Sequence, residues 1–298
     1  MKLKLKNTLV LSSAFLCALA YGQNAAPSEV KIAGSDIVGP VLKAAAESSL
    51  KEAGIKASFS LEGSFPALAA LKDGKADIAI IGVPKGKAKP EGYMVLPVCY
   101  QAAVVIVNPL NPIMEISTGQ LAQVFGKSPK TRIESWTALS SAGGGLKTIQ
   151  PVMTAFGDNV VIELFKYSCM PSDNLGPWVN VMQSPQDVFA TVKTNTSVLA
   201  VVGKADDASM IKVLSVSSSR EGEDLYAFKP NSETIHNGDY PMTLAFYLVF
   251  KKENLKKVKP AISALLSDEA SKNVDAGAFY SVPKNLRKRL ILELDIAE

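Results

Sequence analysis

Histidine is nearly absent from this chain of 298 residues: there is one, His236. Imidazole is the commonest proton shuttle and metal ligand in proteins, so a zinc centre or a histidine-dependent hydrolase has nothing to build on. The spacings CxxC, HExxH, GxSxG and GxxxxGKS/T do not occur either. Catalysis would rest on carboxylates alone, and none of the 28 acidic residues stands in a recognisable paired setting. His236 itself lies in Thr234-Ile235-His236-Asn237-Gly238, a polar stretch that reads as an exposed loop. The chain reads as a non-enzyme with no cofactor.

Cysteine and long apolar runs are also scarce. Thr8 to Ala20 is apolar, follows Lys2, Lys4 and Lys6, and closes in small residues, so residues 1–22 read as a secretory signal peptide cut near Ala20-Tyr21-Gly22. That run is too short to span a bilayer, and no later one reaches about 18 residues, so the mature chain should be soluble in the periplasm. Leu16 before Cys17 is too bulky for a lipidation signal. Two cysteines remain, Cys99 and Cys169, either as a disulfide or as two separately buried thiols. Removing the leader's three lysines takes the formal charge from +4 to +1, which leaves no basic excess to argue for nucleic acid or an anionic membrane.

What the chain has is alternation. Short β-branched runs (Val30 to Ala33, Ala57 to Leu61, Ala76 to Ile81, Thr148 to Met153, Val198 to Val202) are interleaved with segments of helical apolar spacing, among them Phe65 to Leu71, Thr118 to Phe125, Asp158 to Cys169 and Pro185 to Thr194. This is the pattern of an α/β protein with mainly parallel sheets flanked by helices. Two longer apolar runs, Val95 to Asn108 and Pro241 to Phe250, are placed to cross between domains. They divide the chain into a discontinuous first domain, 23–108 plus 241–298, and a second, 109–240. The end, Lys256 to Glu298, reads as two helices around Gly277 to Val282, and lysines 251, 252, 256, 257 and 259 as a solvated face.

Three loops of small polar residues open into helices: Gly34-Ser35-Asp36 before Ile37, Gly63-Ser64 before Phe65, and Gly157-Asp158-Asn159 before Val160. Unpaired N–H groups and the positive end of the helix dipole make such places ready for an anion. Each is equally readable as an ordinary helix cap.

The order and spacing of Ile32-Ala33-Gly34-Ser35-Asp36, Gly74-Lys75-Ala76-Asp77-Ile78-Ala79, Leu96-Pro97, Val104 to Asn108, Leu121 to Phe125, Trp136 and Tyr240-Pro241-Met242 resemble the phosphate-binding proteins of phosphate ABC transporters, from about residue 29 to 290. The resemblance implies a two-domain periplasmic solute-binding protein of type II, with two hinge strands, a small oxyanion in the cleft and a transporter permease as partner. A monomer is expected, because a hinged receptor needs free domains. Carried over by position, the resemblance implies Ser35, Asp36, the Ile37 N–H and Ser64 as ligands. Where the family's third motif, RxxGSGT, should stand, this chain has Thr154-Ala155-Phe156-Gly157-Asp158-Asn159-Val160. Thr154 takes the place of the arginine, and Asp158-Asn159-Val160 takes the place of Ser-Gly-Thr. The bidentate cationic clamp is gone, which disfavours a doubly charged ligand. Two alternatives therefore stay open: a relative with a neutral or cationic ligand, or one that has lost ligand binding and serves in sensing or surface attachment.

Overall fold

The computed structural model describes residues 29–146, 148–154, 160–205, 210–222, 225–277 and 279–297. Residues 1–22, expected to be a signal peptide, and the segment with Asp158 and Asn159 lie outside the described residues.

The first half alternates as its sequence pattern requires: β1 (Val30–Gly34), α1 (Gly39–Glu52), β2 (Ala57–Ser60), α2 (Ser64–Lys72), β3 (Ile78–Pro84), β4 (Met94–Ala102) and β5 (Val104–Val107). It continues with β6 (Glu115–Ser117), α3 (Thr118–Phe125), α4 (Trp136–Leu139), β7 (Gln150–Thr154), α5 (Val161–Cys169), β8 (Asn180–Met182), α6 (Pro185–Thr194) and β9 (Val198–Val202). Then follow β10 (Lys212–Val213), β11 (Ser215–Ser217), α7 (Ser232–Asn237), β12 (Thr243–Phe250), α8 (Leu255–Leu265), α9 (Asp268–Ala276), β13 (Tyr280–Ser281) and α10 (Lys284–Ala297).

A six-stranded sheet runs β13-β4-β12-β3-β1-β2 and a five-stranded sheet β10-β5-β9-β7-β8. The chain leaves the first sheet after β4 and returns to it at β12. The two crossings lie side by side: the Ala103 N–H donates to the Met242 carbonyl at 3.0 Å, and the Tyr240 hydroxyl donates to the Ala103 carbonyl at 2.8 Å. The class is α/β with two hinge strands, as expected, but the sheets are mixed rather than mainly parallel. Pairing is parallel in β2-β1-β3 and β8-β7-β9. It is antiparallel wherever β4, β12 or β5 joins. Strands that carry the chain out and back run in opposite senses, so the hinge enforces antiparallel neighbours.

The apolar runs are largely buried. β5 and β9 form the centre of the second core with Phe125, Trp136 and Phe165. The first sheet is covered on both faces: α1, α8 and α9 pack on one, and α2 with Leu71 on the other. Burial on both sides explains why its strands read as unbroken apolar runs. β4 accommodates Pro97, which has no N–H to donate, at a register shift between Phe246 and Tyr247 of β12.

The structure corrects three sequence expectations beside the sheet direction. The C-terminal segment forms three helices, because Ser267 accepts the Ala270 N–H and starts α9 two residues after α8 ends. Two of the five lysines expected to be solvated are paired: Lys257 with Asp77 at 2.8 Å and Lys259 with Asp295 at 3.0 Å. His236 belongs to α7 and is half-buried, with its Nδ1 2.6 Å from the Tyr100 hydroxyl. Cys99 and Cys169 are two free thiols, and burial pushes both well above the ordinary thiol range. Among the described residues, no helix is long and apolar enough to cross a membrane.

Candidate functional site

In open α/β sheets ligands bind beyond the carboxyl ends of the parallel strands, where the order of strands turns back on itself. β1 lies between β2 and β3, so its carboxyl end is such a point. Ser35 follows it directly and is buried, with its N–H on the Ile80 carbonyl at 2.8 Å. The Ser35 hydroxyl accepts the Ile37 N–H at 3.2 Å. The amide expected to face a ligand is thus already held by its own loop, and α1 begins two residues later, at Gly39. Asp36 is exposed.

After β2 the chain turns at Gly63, whose φ of 119° is a conformation side chains resist. That turn sets Ser64 as the first residue of α2. The Ser64 hydroxyl accepts the Gly82 N–H at 3.0 Å, at the carboxyl end of β3. A hydroxyl that accepts there keeps its own hydrogen to donate.

A residue missed in the sequence completes this edge. β4 runs in the same sense as β3, and Gln101 pairs across β12 with Leu244, which in turn faces Pro84. The Gln101 side chain is 0% exposed. Its Oε1 receives the Val160 N–H at 3.5 Å, a long contact that brings the start of α5, from the other sheet, against the first sheet's edge. Its Nε2 has no partner. Thr154, at the carboxyl end of β7, is 2% exposed and its Oγ1 has no partner either. A glutamine within an otherwise apolar hinge run was the available signal, because a polar group buried there needs something to bond.

Helix ends separate the same way. Ser117, Ser135, Ser184, Asn231 and Ser267 cap α3, α4, α6, α7 and α9 with their side chains. The N-cap residues of α1, α2, α5 and α8, which are Val38, Gly63, Val160 and Asn254, provide no side-chain cap. The first three belong to the helices whose starts were read as anion-ready loops.

Charge is the remaining component. The sequence contains four arginines, and each is committed elsewhere. Arg132 stacks on Trp178 and pairs with Glu134, Arg220 donates to the Tyr167 and Ser168 carbonyls, Arg287 to those of Val282 and Leu266, and Arg289 pairs with Glu293. The described donors named above are neutral: two hydroxyls, a carboxamide and backbone amides.

The fold is thus two α/β sheets joined by paired crossings, with neutral donors at several strand ends. The chain belongs to the PBP superfamily: the model described as a PBP superfamily domain matches residues 20–269. Its fold is similar to that of a possible phosphate binding protein from Planctomyces limnophilus, with a TM-score of 0.68 and 17% identity over 91% of this chain and 98% of that one. PstS from Borrelia burgdorferi gives a TM-score of 0.65 and 18% identity over 86% and 99%. An ABC-type phosphate transport receptor from Vibrio cholerae gives 0.59 and 20% over 84% and 99%. Protein SphX of Synechococcus elongatus is 30% identical over 117 residues, which are 37% of this chain and 35% of that protein. The chain thus matches about a third of that curated relative's length.

Proposed function

We propose that this protein is an exported, non-catalytic binding protein that holds a phosphate-type oxyanion between its lobes and delivers it, as a monomer, to the permease of an ABC transporter. The observation that carries this reading is the pair Gln101 and Thr154. Each is buried, they come from different sheets, and Nε2 and Oγ1 have no partner. An unsatisfied buried polar group costs about 1–3 kcal/mol, so two of them at strand ends are best explained by an absent acceptor. A tetrahedral oxyanion offers acceptors in several directions, and Ser64 has a hydroxyl hydrogen to add. The phosphate receptors among the structural neighbours support the same ligand class.

The neutral donor set refines it. Holding two negative charges away from water without a guanidinium is costly, whereas one charge is met by amides and hydroxyls. The preferred form is the singly charged, protonated oxyanion. Titration calorimetry of the mature protein with inorganic phosphate tests this: affinity should fall as pH rises through the second ionisation of phosphate. Absence of binding at every pH refutes the proposal, and affinity that rises with pH refutes the preference for one charge.

A further inference from the structure

A strand at the rim of a sheet leaves one row of N–H and C=O groups without a ladder, and proteins usually shorten such strands or place lysine or proline in them. Among the described residues the two large sheets end in β13, β2, β10 and β8. β10 and β13 have two residues each and β8 has three, whereas β2 has four, Ala57-Ser58-Phe59-Ser60, with neither a charge nor a proline. It pairs with β1 alone. The Val30 N–H donates to the Lys56 carbonyl at 2.8 Å, so residues 56, 58 and 60 turn their backbone groups toward β1, and those of Ala57 and Phe59 point outward.

The strand is also open on both faces. α2 packs mainly on β1 and β3, which leaves a concavity of about 370 Å³ beside Ser58 and Ser60. On the opposite face Ala57 and Phe59 border a second one, of about 470 Å³, next to Glu47 and Leu50 of α1. A strand laid along β2 drops its alternate side chains into these two hollows.

The residues around this edge decide which strand fits. Lys56-Ala57-Ser58-Phe59-Ser60-Leu61-Glu62 is chemically symmetric about Phe59: a serine on either side, then an apolar residue, then charges of opposite sign. Two copies related by a two-fold axis bring their β2 strands together antiparallel, and a register centred on Phe59 sets Phe59 against Phe59, Ser58 against Ser60 and Lys56 against Glu62, twice over. The outward backbone groups of the two Phe59 residues then face each other, as a hydrogen-bonded pair requires. Sliding by two residues, the smallest step that keeps like faces together, opposes Lys56 to Ser60 or Glu62 to Ser58 and loses both ion pairs. The Ser60 hydroxyl donates to Glu62 at 2.7 Å and keeps that carboxylate on the serine face, where strand alternation also puts position 56. We propose that β2 is a self-recognition edge through which two copies of this chain pair, joining their six-stranded sheets into one continuous sheet. β2 lies at the end of its sheet remote from β4 and β12, so pairing leaves the crossings and the second sheet free. Held by one short strand and two exposed ion pairs, the dimer is weak and stands in equilibrium with the monomer proposed to serve the transporter.

Sedimentation velocity of the full mature chain, from micromolar to millimolar concentration, should show a monomer–dimer equilibrium, and hydrogen exchange at the Ala57 and Phe59 amides should slow as the dimer forms. Lys56→Glu or Glu62→Lys alone sets like charges against each other twice and should weaken the dimer about tenfold. Both side chains are exposed, so the variants keep the fold. The two changes combined reverse both pairs and should restore the dimer, an outcome that damage to folding cannot imitate. A chain that stays monomeric across that range overturns the inference. So does a dimer indifferent to the single changes, or one that the combination fails to rescue. Slow exchange at Ala57 and Phe59 in dilute, monomeric protein overturns it as well, because the edge is then occupied by another segment of the same chain.

Discussion

Gln101 is an expensive residue in the ligand-free protein. Its amide is wholly buried and half-satisfied, in a strand otherwise apolar but for Tyr100, whose hydroxyl pairs with His236. Methionine has similar length and no such requirement. Gln101→Met should therefore stabilise the empty protein by about 1 kcal/mol, the recovered desolvation cost of one carboxamide. It should at the same time abolish the rise in melting temperature expected of the unaltered chain with phosphate. Thermal melts with and without phosphate measure both, and a variant that is less stable yet still shifted by phosphate contradicts the role given to Gln101. Ser64 was named in the sequence because it follows a glycine and opens a helix, and Thr154 because it stands where the family's third motif has arginine. Gln101 was not, since its importance arises from Val160, which is distant in sequence and near only in the fold. His236 was misread for a similar reason: five polar-looking residues hide a short helix whose Asn231 cap and left-handed Gly238 define it.

Among the elements, strands and isolated helices were the readable part. Thr118–Phe125 and Pro185–Thr194 fall where periodicity put them, each opened by a serine cap. Direction of pairing was not readable, because an apolar run buried on both faces looks alike in a parallel and an antiparallel sheet. The C-terminal helices failed on a signal that was present, Ser267-Asp268-Glu269, a cap followed by two acids in a first turn. That junction is secured by Arg287. Its Nε donates to the Val282 carbonyl and its Nη1 to that of Leu266, both at 3.0 Å, while Nη1 also lies 3.0 Å from Asp268. Arg287→Met keeps the buried stem, strands two carbonyls and should cost about 3 kcal/mol of unfolding free energy in denaturant titration. The Asp268 carboxyl is held below its usual range, first by the hydrogen bond from Lys284 and then by that from Arg287. A group with a lowered native pKa contributes stability that is present above its unfolded pKa and lost as pH falls through the native one. Asp268→Asn should accordingly flatten the acid limb of the stability profile, and an unchanged limb would assign that limb to other groups.

At the scale of the molecule, specific side-chain ties join the two sheets beside the paired hinge crossings. Lys204, just beyond β9, donates to the carbonyls of Asp275 at 2.5 Å and Phe279 at 2.7 Å and stands over the Tyr280 ring at 4.9 Å. It ties the second sheet's lobe to the end of α9 and to β13 in the first. The Tyr167 hydroxyl makes a second tie, from α5 to the Lys85 carbonyl just after β3. Contacts that exist in only one arrangement of the lobes set the population of that arrangement, and apparent affinity scales with the competent fraction. Lys204→Met should enlarge the ligand-free protein's radius of gyration in solution scattering, and phosphate should return it toward the unaltered value while binding more weakly. Ser64→Ala should weaken phosphate with the ligand-free radius unchanged, because it removes a donor and leaves the ties in place. The contrast separates residues that touch the ligand from those that hold the lobes around it. If both variants lose affinity with identical radii, Lys204 acts only within its own neighbourhood, and the lobes are fixed by the hinge strands alone.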